Sequence, residues 1–176
     1  VRPLVLRVCD LDRAAPRGTG HIKASLNYAM SLYALTEAHA LGYDENLYVD
    51  SATRTYVEET GGANIIFAED GKRLVVPISA TILPSITRRS LTYIAREYLG
   101  LEVVERRVEL RELDRFAECG LCGTAAVISP VGKIVDHGRE IHYAGMGPVI
   151  TKLYDTLTGI QMGRLPAPDG WLTEID

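Results

Sequence analysis

The sequence predicts an α+β fold, and three observations carry the prediction. Strand-like segments come in clumps rather than alternating one by one with helices, which favours α+β over a doubly wound parallel sheet. Three stretches place apolar residues at helical spacing. No Pro- or Gly-rich linker divides the 176 residues, so they read as one domain.

The elements follow in order. Val1 to Cys9 alternates as a strand, without the charged and apolar regions of a signal peptide. A mature domain rarely opens inside a strand, and the first residue is not Met, so we expect a piece of a longer protein. Arg13 to Gly20 is a Pro/Gly loop. Tyr28 to Leu41 reads as a helix with Met30, Leu32, Leu35 and Ala38 on its apolar spacing and Gly42 as its stop. Glu45 to Asp50 and Arg54 to Glu58 read as a hairpin. Asn64 to Ala68 and Arg73 to Pro77 form a second, joined at Asp70-Gly71. Thr87 to Tyr98 is helical, capped by Ser85 and ended by Gly100. A strand is expected over Leu101 to Val108 and a short charged helix over Leu110 to Glu118. Ala125 to Ile128 and Lys133 to Val135 read as strands around Pro130 and Gly132. Pro148 opens a last helix through Gln161, and the tail from Arg164 is irregular.

Composition excludes several function classes. Apolar residues are 47% and charged residues 24%, as in ordinary globular domains and unlike disordered chains. No apolar run approaches the ~18 residues of a membrane span. A net charge of −4 leaves no general basic field for nucleic acid. Three cysteines are too few for a disulfide framework, which points to a reducing cytoplasm.

Four segments could carry chemistry. Only four lysines occur, Lys23, Lys72, Lys133 and Lys152, beside 15 arginines. Lys23 follows a glycine loop and precedes a helix among small and apolar residues, with His21 two positions away. A desolvated lysine there would be a nucleophile or base, although an ordinary surface lysine is the commoner outcome of such spacing. At Glu58-Glu59-Thr60-Gly61-Gly62 a carboxylate runs into two glycines, which permit close approach of a ligand; a solvated turn would look the same. At Leu83-Pro84-Ser85-Ile86-Thr87 a helix begins, where free N–H groups bind phosphate, or where Ser85 simply caps. Gly123-Thr124-Ala125 is a tight turn whose N–H groups and hydroxyl would hold an anion. Cys119 and Cys122 have redox-motif spacing but lack the strand-then-helix context, so buried structural thiols are expected. The four histidines form no metal set, and no metal is expected.

Taken in order, the blocks GTGHIKASLNY, EETGGANIIF, ILPSITRRS, GTAAVISPVG, LYDTLTGIQMG and PDGW resemble the fold-type IV pyridoxal phosphate aminotransferases, most closely the branched-chain amino acid aminotransferases. The resemblance covers about Arg13 to Trp171. It implies a pseudo-barrel of mixed strands with packed helices. It implies that Lys23 is the Schiff-base lysine, Tyr28 the partner of the cofactor's phenolic oxygen, and Glu59 the carboxylate facing its ring nitrogen. Ser85, Ile86, Thr87 and Thr124 would serve the phosphate, and Leu83 would lie under the ring. Gly62, Gly123, Thr124 and Ala125 would border the substrate carboxylate. Ser25-Leu26 and Ser85 stand where the family has glycines, which bears on pocket shape. The family's redox cysteines follow the Gly-Thr-Ala turn, whereas this pair precedes it, so that regulation is not carried over.

The implied activity is transamination of leucine, isoleucine or valine with 2-oxoglutarate by a cytoplasmic homodimer. Family members are about twice as long, so residues 1–176 would be the C-terminal cofactor-binding domain, with the N-terminal small domain elsewhere and the isolated chain weak or inactive. The alternatives are a D-amino acid transaminase or aminodeoxychorismate lyase of the same fold, a non-catalytic fragment, and, least of all, a thiol-redox module.

Overall fold

Alternate residues of a strand face opposite sides of its sheet, so a strand apolar on both sides needs two covers. Strand β4 (Asn64–Glu69) is such a strand, buried along almost its whole length. Ile65 and Phe67 join one core, and Ile66 and Ala68 join another. The computed structural model, which describes residues 2–173, supplies both covers.

The strands are β1 (Leu4–Val8), β2 (Glu45–Val49), β3 (Val57–Thr60), β4, β5 (Arg73–Pro77), β6 (Glu102–Arg106), β7 (Glu118–Gly123), β8 (Val127–Asp136) and β9 (Arg139–His142). They form one mixed sheet in the order β3-β2-β1-β8-β7-β4-β5-β6, with β9 beside β8. β1 runs parallel to β2 and β8, and β5 runs parallel to β6. The remaining pairs are antiparallel.

The sheet curls until its ends meet. Val57 of β3 donates its N–H to the Val108 carbonyl just beyond β6 (2.8 Å), and Tyr56 bridges Glu109. Inside the curl lie Leu6, Leu47, Phe67, Val75 and Ile134, with Phe67 stacked on Phe116 at 4.7 Å. Outside, helices α2 (Ile86–Glu97) and α3 (Pro148–Gln161) cover Ile66, Leu74, Val76 and Ile128 with Leu91, Ile94, Ile150 and Leu153. The α+β pseudo-barrel expected from the resemblance is therefore the observed architecture.

Several expectations are corrected. Helix α1 spans Ser25–Ala40, three residues earlier than the apolar spacing suggests. It buries Asn27, Ser31, Ala34 and Ala38, while Met30 and Leu32 face solvent. The charged helix is a short 3-10 turn over Leu110–Arg115, held by a capping box between Glu109 and Glu112. Glu118 already belongs to β7, a strand that the sequence pattern does not reveal. The two strands around Pro130 are one, β8. β1 pairs with β8 only from Val131 onward, so that side needs no N–H from Pro130. Lys133 lies within β8, as expected for a strand residue, and its ammonium meets Glu140 at 2.7 Å. β9 adds a strand between His137 and Tyr143 that the sequence pattern does not reveal.

Cys119 and Cys122 fall three apart on β7 and so face opposite sides: Cys119 lies in the inner core, Cys122 in the outer one. Burial raises both thiols, Cys122 to about 12. They are structural thiols, and β7 holds them apart.

Glu118 anchors α3. Its carboxylate is 2% exposed and accepts the N–H groups of Val149 (3.0 Å) and Ile150 (2.8 Å). A side chain at Gly147 would overlap that carboxylate. Negative charge at a helix N-terminus is favourable, and a buried N–H left bare costs about 1–3 kcal/mol. Glu118→Ala is therefore expected to lower unfolding free energy by about 2–4 kcal/mol, with Glu118→Gln losing roughly half of that, in urea titrations. An unchanged midpoint in Glu118→Ala would show that the anchor carries no stability.

Candidate functional site

Four loops converge where β3 turns into β4 and β7 turns into β8. Register explains the neighbourhood, because Asn64 at the start of β4 pairs with Cys122 at the end of β7. The loop between β1 and α1 brings Lys23 to the same cleft, and α1 adds Tyr28. The loop before α2 adds Leu83 and Ser85. The two strand turns add Glu59, Gly62, Gly123 and Thr124. The cleft encloses only about 70 Å³ and opens to solvent above, where Lys23 is exposed rather than desolvated.

Local bonds fix each piece. Asn27 ties the lysine loop down by donating from Nδ2 to the carbonyls of Thr19 and Ile22, both at 2.8 Å. Ala24 is extended, so Lys23 sits just before the first helical turn. The β3–β4 turn closes on Thr60, whose N–H and hydroxyl both reach the Ala63 carbonyl at 3.0 Å. A Cβ added at Gly62 would meet no atom within 4 Å, so the turn presents bare backbone to the cleft. Ser85 caps α2 by accepting the Arg88 N–H at 3.2 Å, which leaves the N–H groups of Ile86 and Thr87 without carbonyl partners inside the helix. Thr124 to Ala126 form the β7–β8 turn, and Val127 closes it at a φ of +60°, a costly conformation for a β-branched residue.

Glu59 is the electrostatic centre. It is 3% exposed. Arg13 pairs with its Oε1 at 2.7 Å, the Leu83 N–H donates to the same oxygen at 2.8 Å, and Asn64 Nδ2 donates to Oε2. Burial pushes the carboxyl up to about 7, against Arg13 and the two hydrogen bonds, which pull it down. The adjacent Glu58 faces the other way and accepts the hydroxyls of Ser79 (2.9 Å) and Thr81.

Eight of the residues predicted from the sequence thus line one cleft. Ile86, Thr87 and Ala125 do not: Thr87 is buried beside it, Ala125 is exposed in the turn, and the Ile86 side chain lines a separate cavity of about 740 Å³ between α2 and α3. His21 is exposed outside the cleft. Arg13, Asn64 and Cys122 also line it, and the sequence pattern does not single them out for it. The signal for Arg13 is its place at the start of the glycine loop, which alone names no partner. Among the described residues no group of three His, Cys, Asp or Glu side chains is placed to hold a metal ion.

The arrangement offers an amine, a phenol, a buried carboxylate and a set of hydroxyl and N–H donors within one cleft. It suits a flat, anionic ligand with a basic ring nitrogen. One consequence is measurable without any ligand. The folded chain holds the Glu59 proton up to about 7, above its ordinary value of 4.5. Its contribution to stability is therefore full below about 4.5 and fades as pH rises through about 7. Wild type should lose on the order of 2–3 kcal/mol relative to Glu59→Gln between those limits, read by urea unfolding at several pH values. Parallel pH curves for the two chains would contradict the assignment.

The sequence model of the amino-transferase class IV family matches residues 2–134. The branched-chain-amino-acid aminotransferase of Haemophilus influenzae is 45% identical over 176 residues, which is 95% of this chain and 51% of that protein. The solved branched-chain amino acid aminotransferase of Escherichia coli superposes with a TM-score of 0.82 at 32% identity, over 96% of this chain and 55% of that one. The enzyme of Thermobaculum terrenum, solved in its PLP (holo) form, gives 0.82 at 35% identity, over 93% and 52%. The chain spans about half the length of the curated relatives it matches. Matching most of its length to that family model and sharing its fold with these enzymes, the chain belongs to the class IV aminotransferase family.

Proposed function

We propose that the chain is the cofactor-binding domain of a pyridoxal 5'-phosphate-dependent aminotransferase acting on leucine, isoleucine or valine with 2-oxoglutarate. The observation that carries this is the meeting of Lys23 and Glu59 in one cleft rimmed by phosphate-type donors. The identity to branched-chain enzymes favours those substrates over D-amino acids or aminodeoxychorismate.

The residues fit the cofactor group by group. Lys23 is the cleft's one lysine amine and would hold the aldehyde carbon. Tyr28 offers a hydroxyl for the ring oxygen. Glu59 offers a buried carboxylate for the ring nitrogen. The α2 start, with Ser85 and the N–H groups of Ile86 and Thr87, offers donors to a phosphate, and Thr124 offers another hydroxyl. The bound ring would supply an electron sink for charge developing at the substrate α-carbon. Lys23, freed by the incoming amine, would take and return the proton at that carbon. Gly62, Gly123 and Ala125 would present backbone to the substrate carboxylate, and Leu83 would fix the ring plane.

We further propose that an additional N-terminal domain and a second copy of the chain close the cleft, since Lys23 is exposed and α1 shows solvent Leu26, Met30 and Tyr33. Cys9, Cys119 and Cys122 are buried and unpaired, which fits a reducing cytoplasm. No helix of the described residues is long and apolar enough to cross a membrane.

The test is to mix the chain with pyridoxal phosphate, reduce with borohydride and map the label by peptide mass. Label is expected on Lys23 alone, and Lys23→Ala should abolish it. Label spread over Lys72, Lys133 and Lys152 would reject the assignment. In the full-length enzyme, Lys23→Ala should cut turnover by about 10²–10⁴-fold or more, and a preference for D-alanine would sink the substrate class.

A further inference from the structure

We propose that Arg13 is a positioning residue: its guanidinium favours the ionised form of the Glu59 carboxylate and holds it at the cleft, and through it favours a protonated ring nitrogen in the bound cofactor. This rests on the pyridoxal phosphate reading.

A buried carboxyl without a counter-ion takes up a proton. A neutral carboxyl cannot hold a positive charge on a heteroaromatic nitrogen, so the ring would lose its power as an electron sink. Among the described residues Arg13 is the one basic side chain in ion-pair contact with Glu59, at 2.7 Å. Arg88 on α2 acts only at longer range. Lys23 and Tyr28 share the cleft, and the Cys122 thiol, raised to about 12, stays neutral.

Acceptor counting points the same way. An ionised carboxylate has about four acceptor sites. The Leu83 N–H takes one on Oε1 and Asn64 Nδ2 takes one on Oε2, while Arg13 Nη2 lies against Oε1 as an ion pair, which leaves Oε2 with room for a donor in the cleft. A ring N–H is such a donor.

Arg13 is itself immobilised. It is 8% exposed, and Nη2 also donates to the carbonyls of Gly20 (3.2 Å) and Thr81. These belong to the lysine loop and to the loop before α2. A Cβ at Gly20 would overlap the Thr81 carbonyl and crowd the guanidinium. Meanwhile Arg13 Nε is buried without a partner.

The experiment follows the Glu59 carboxyl by infrared spectroscopy with ¹³C-glutamate, assigned through Glu59→Gln, on cofactor-free chains. Arg13→Gln should raise its midpoint by about 1–3 pH units, and Arg13→Lys should restore most of the shift. After loading with pyridoxal phosphate, the pH at which the bound chromophore loses its ring proton should fall in Arg13→Gln and recover in Arg13→Lys. A folded Arg13→Gln chain with wild-type values in either titration overturns the proposal. If Arg13→Gln does not fold, Arg13→Gln/Glu59→Gln is expected to fold, because the uncompensated carboxylate is gone; failure of that double variant also overturns it. Absence of a Lys23 label in wild type would instead reject the cofactor reading, while the infrared shift still reports the Arg13–Glu59 coupling.

Discussion

A carboxylate buried at the end of a strand constrains everything around it. Glu59, next to last in β3, is 3% exposed, where a bare charge would cost several kcal/mol. Its compensation comes from three places far apart in the chain: Arg13 before the lysine loop, Asn64 at the start of β4, and the Leu83 N–H before α2. These same segments carry Lys23 and Ser85. Satisfying one charge therefore fixes the relative positions of the groups that face the cleft. Removing a single member leaves an uncompensated buried charge, which is why such a network is rigid rather than merely stable.

The barrel makes that network possible. Because alternate residues of β4 and β7 feed two cores, both strands are locked from two sides, and their shared register sets the β3–β4 turn beside the β7–β8 turn. The turns can then be thin: one presents Gly62 and the other Gly123, Thr124 and Ala125. Strain is tolerated at Val127 for the same reason, since the flanking strands over-determine the turn.

Much of this was legible in the sequence, for physical reasons. Ser85 and Pro148 mark helix starts by capping chemistry, and Asp70-Gly71 marks its hairpin by adopting φ of +51° and +72°. β7 was not legible. Its residues ECGLCG contain no β-branched side chain, and burial on both faces erases the alternation that betrays a strand. α1 hid its start because Ala24 makes no side-chain cap. Lys23, Glu59 and Thr124 stood out through local pattern. Arg13 did not, because its meaning lies in a contact between distant segments and one of 15 arginines carries no mark of it.

The outward side of α1 presses the synthesis one step further. A surface helix ordinarily hides its large apolar residues and shows its polar ones. Here the hidden face carries Asn27, Ser31, Ala34 and Ala38, while Leu26, Leu32 and Tyr33 are 66%, 64% and 70% exposed. The inversion has a local cause. Asn27 must point inward to hold the lysine loop, and Ser31 must be small because the β3–β4 turn passes against it at Gly61. The needs of the cleft thus dictate the inner face, and the apolar bulk is left on the outer one. Apolar area of that kind is unfavourable in water and marks a surface that gains by being covered. A second copy or a further domain, as proposed above, is the kind of cover that such a face would gain from.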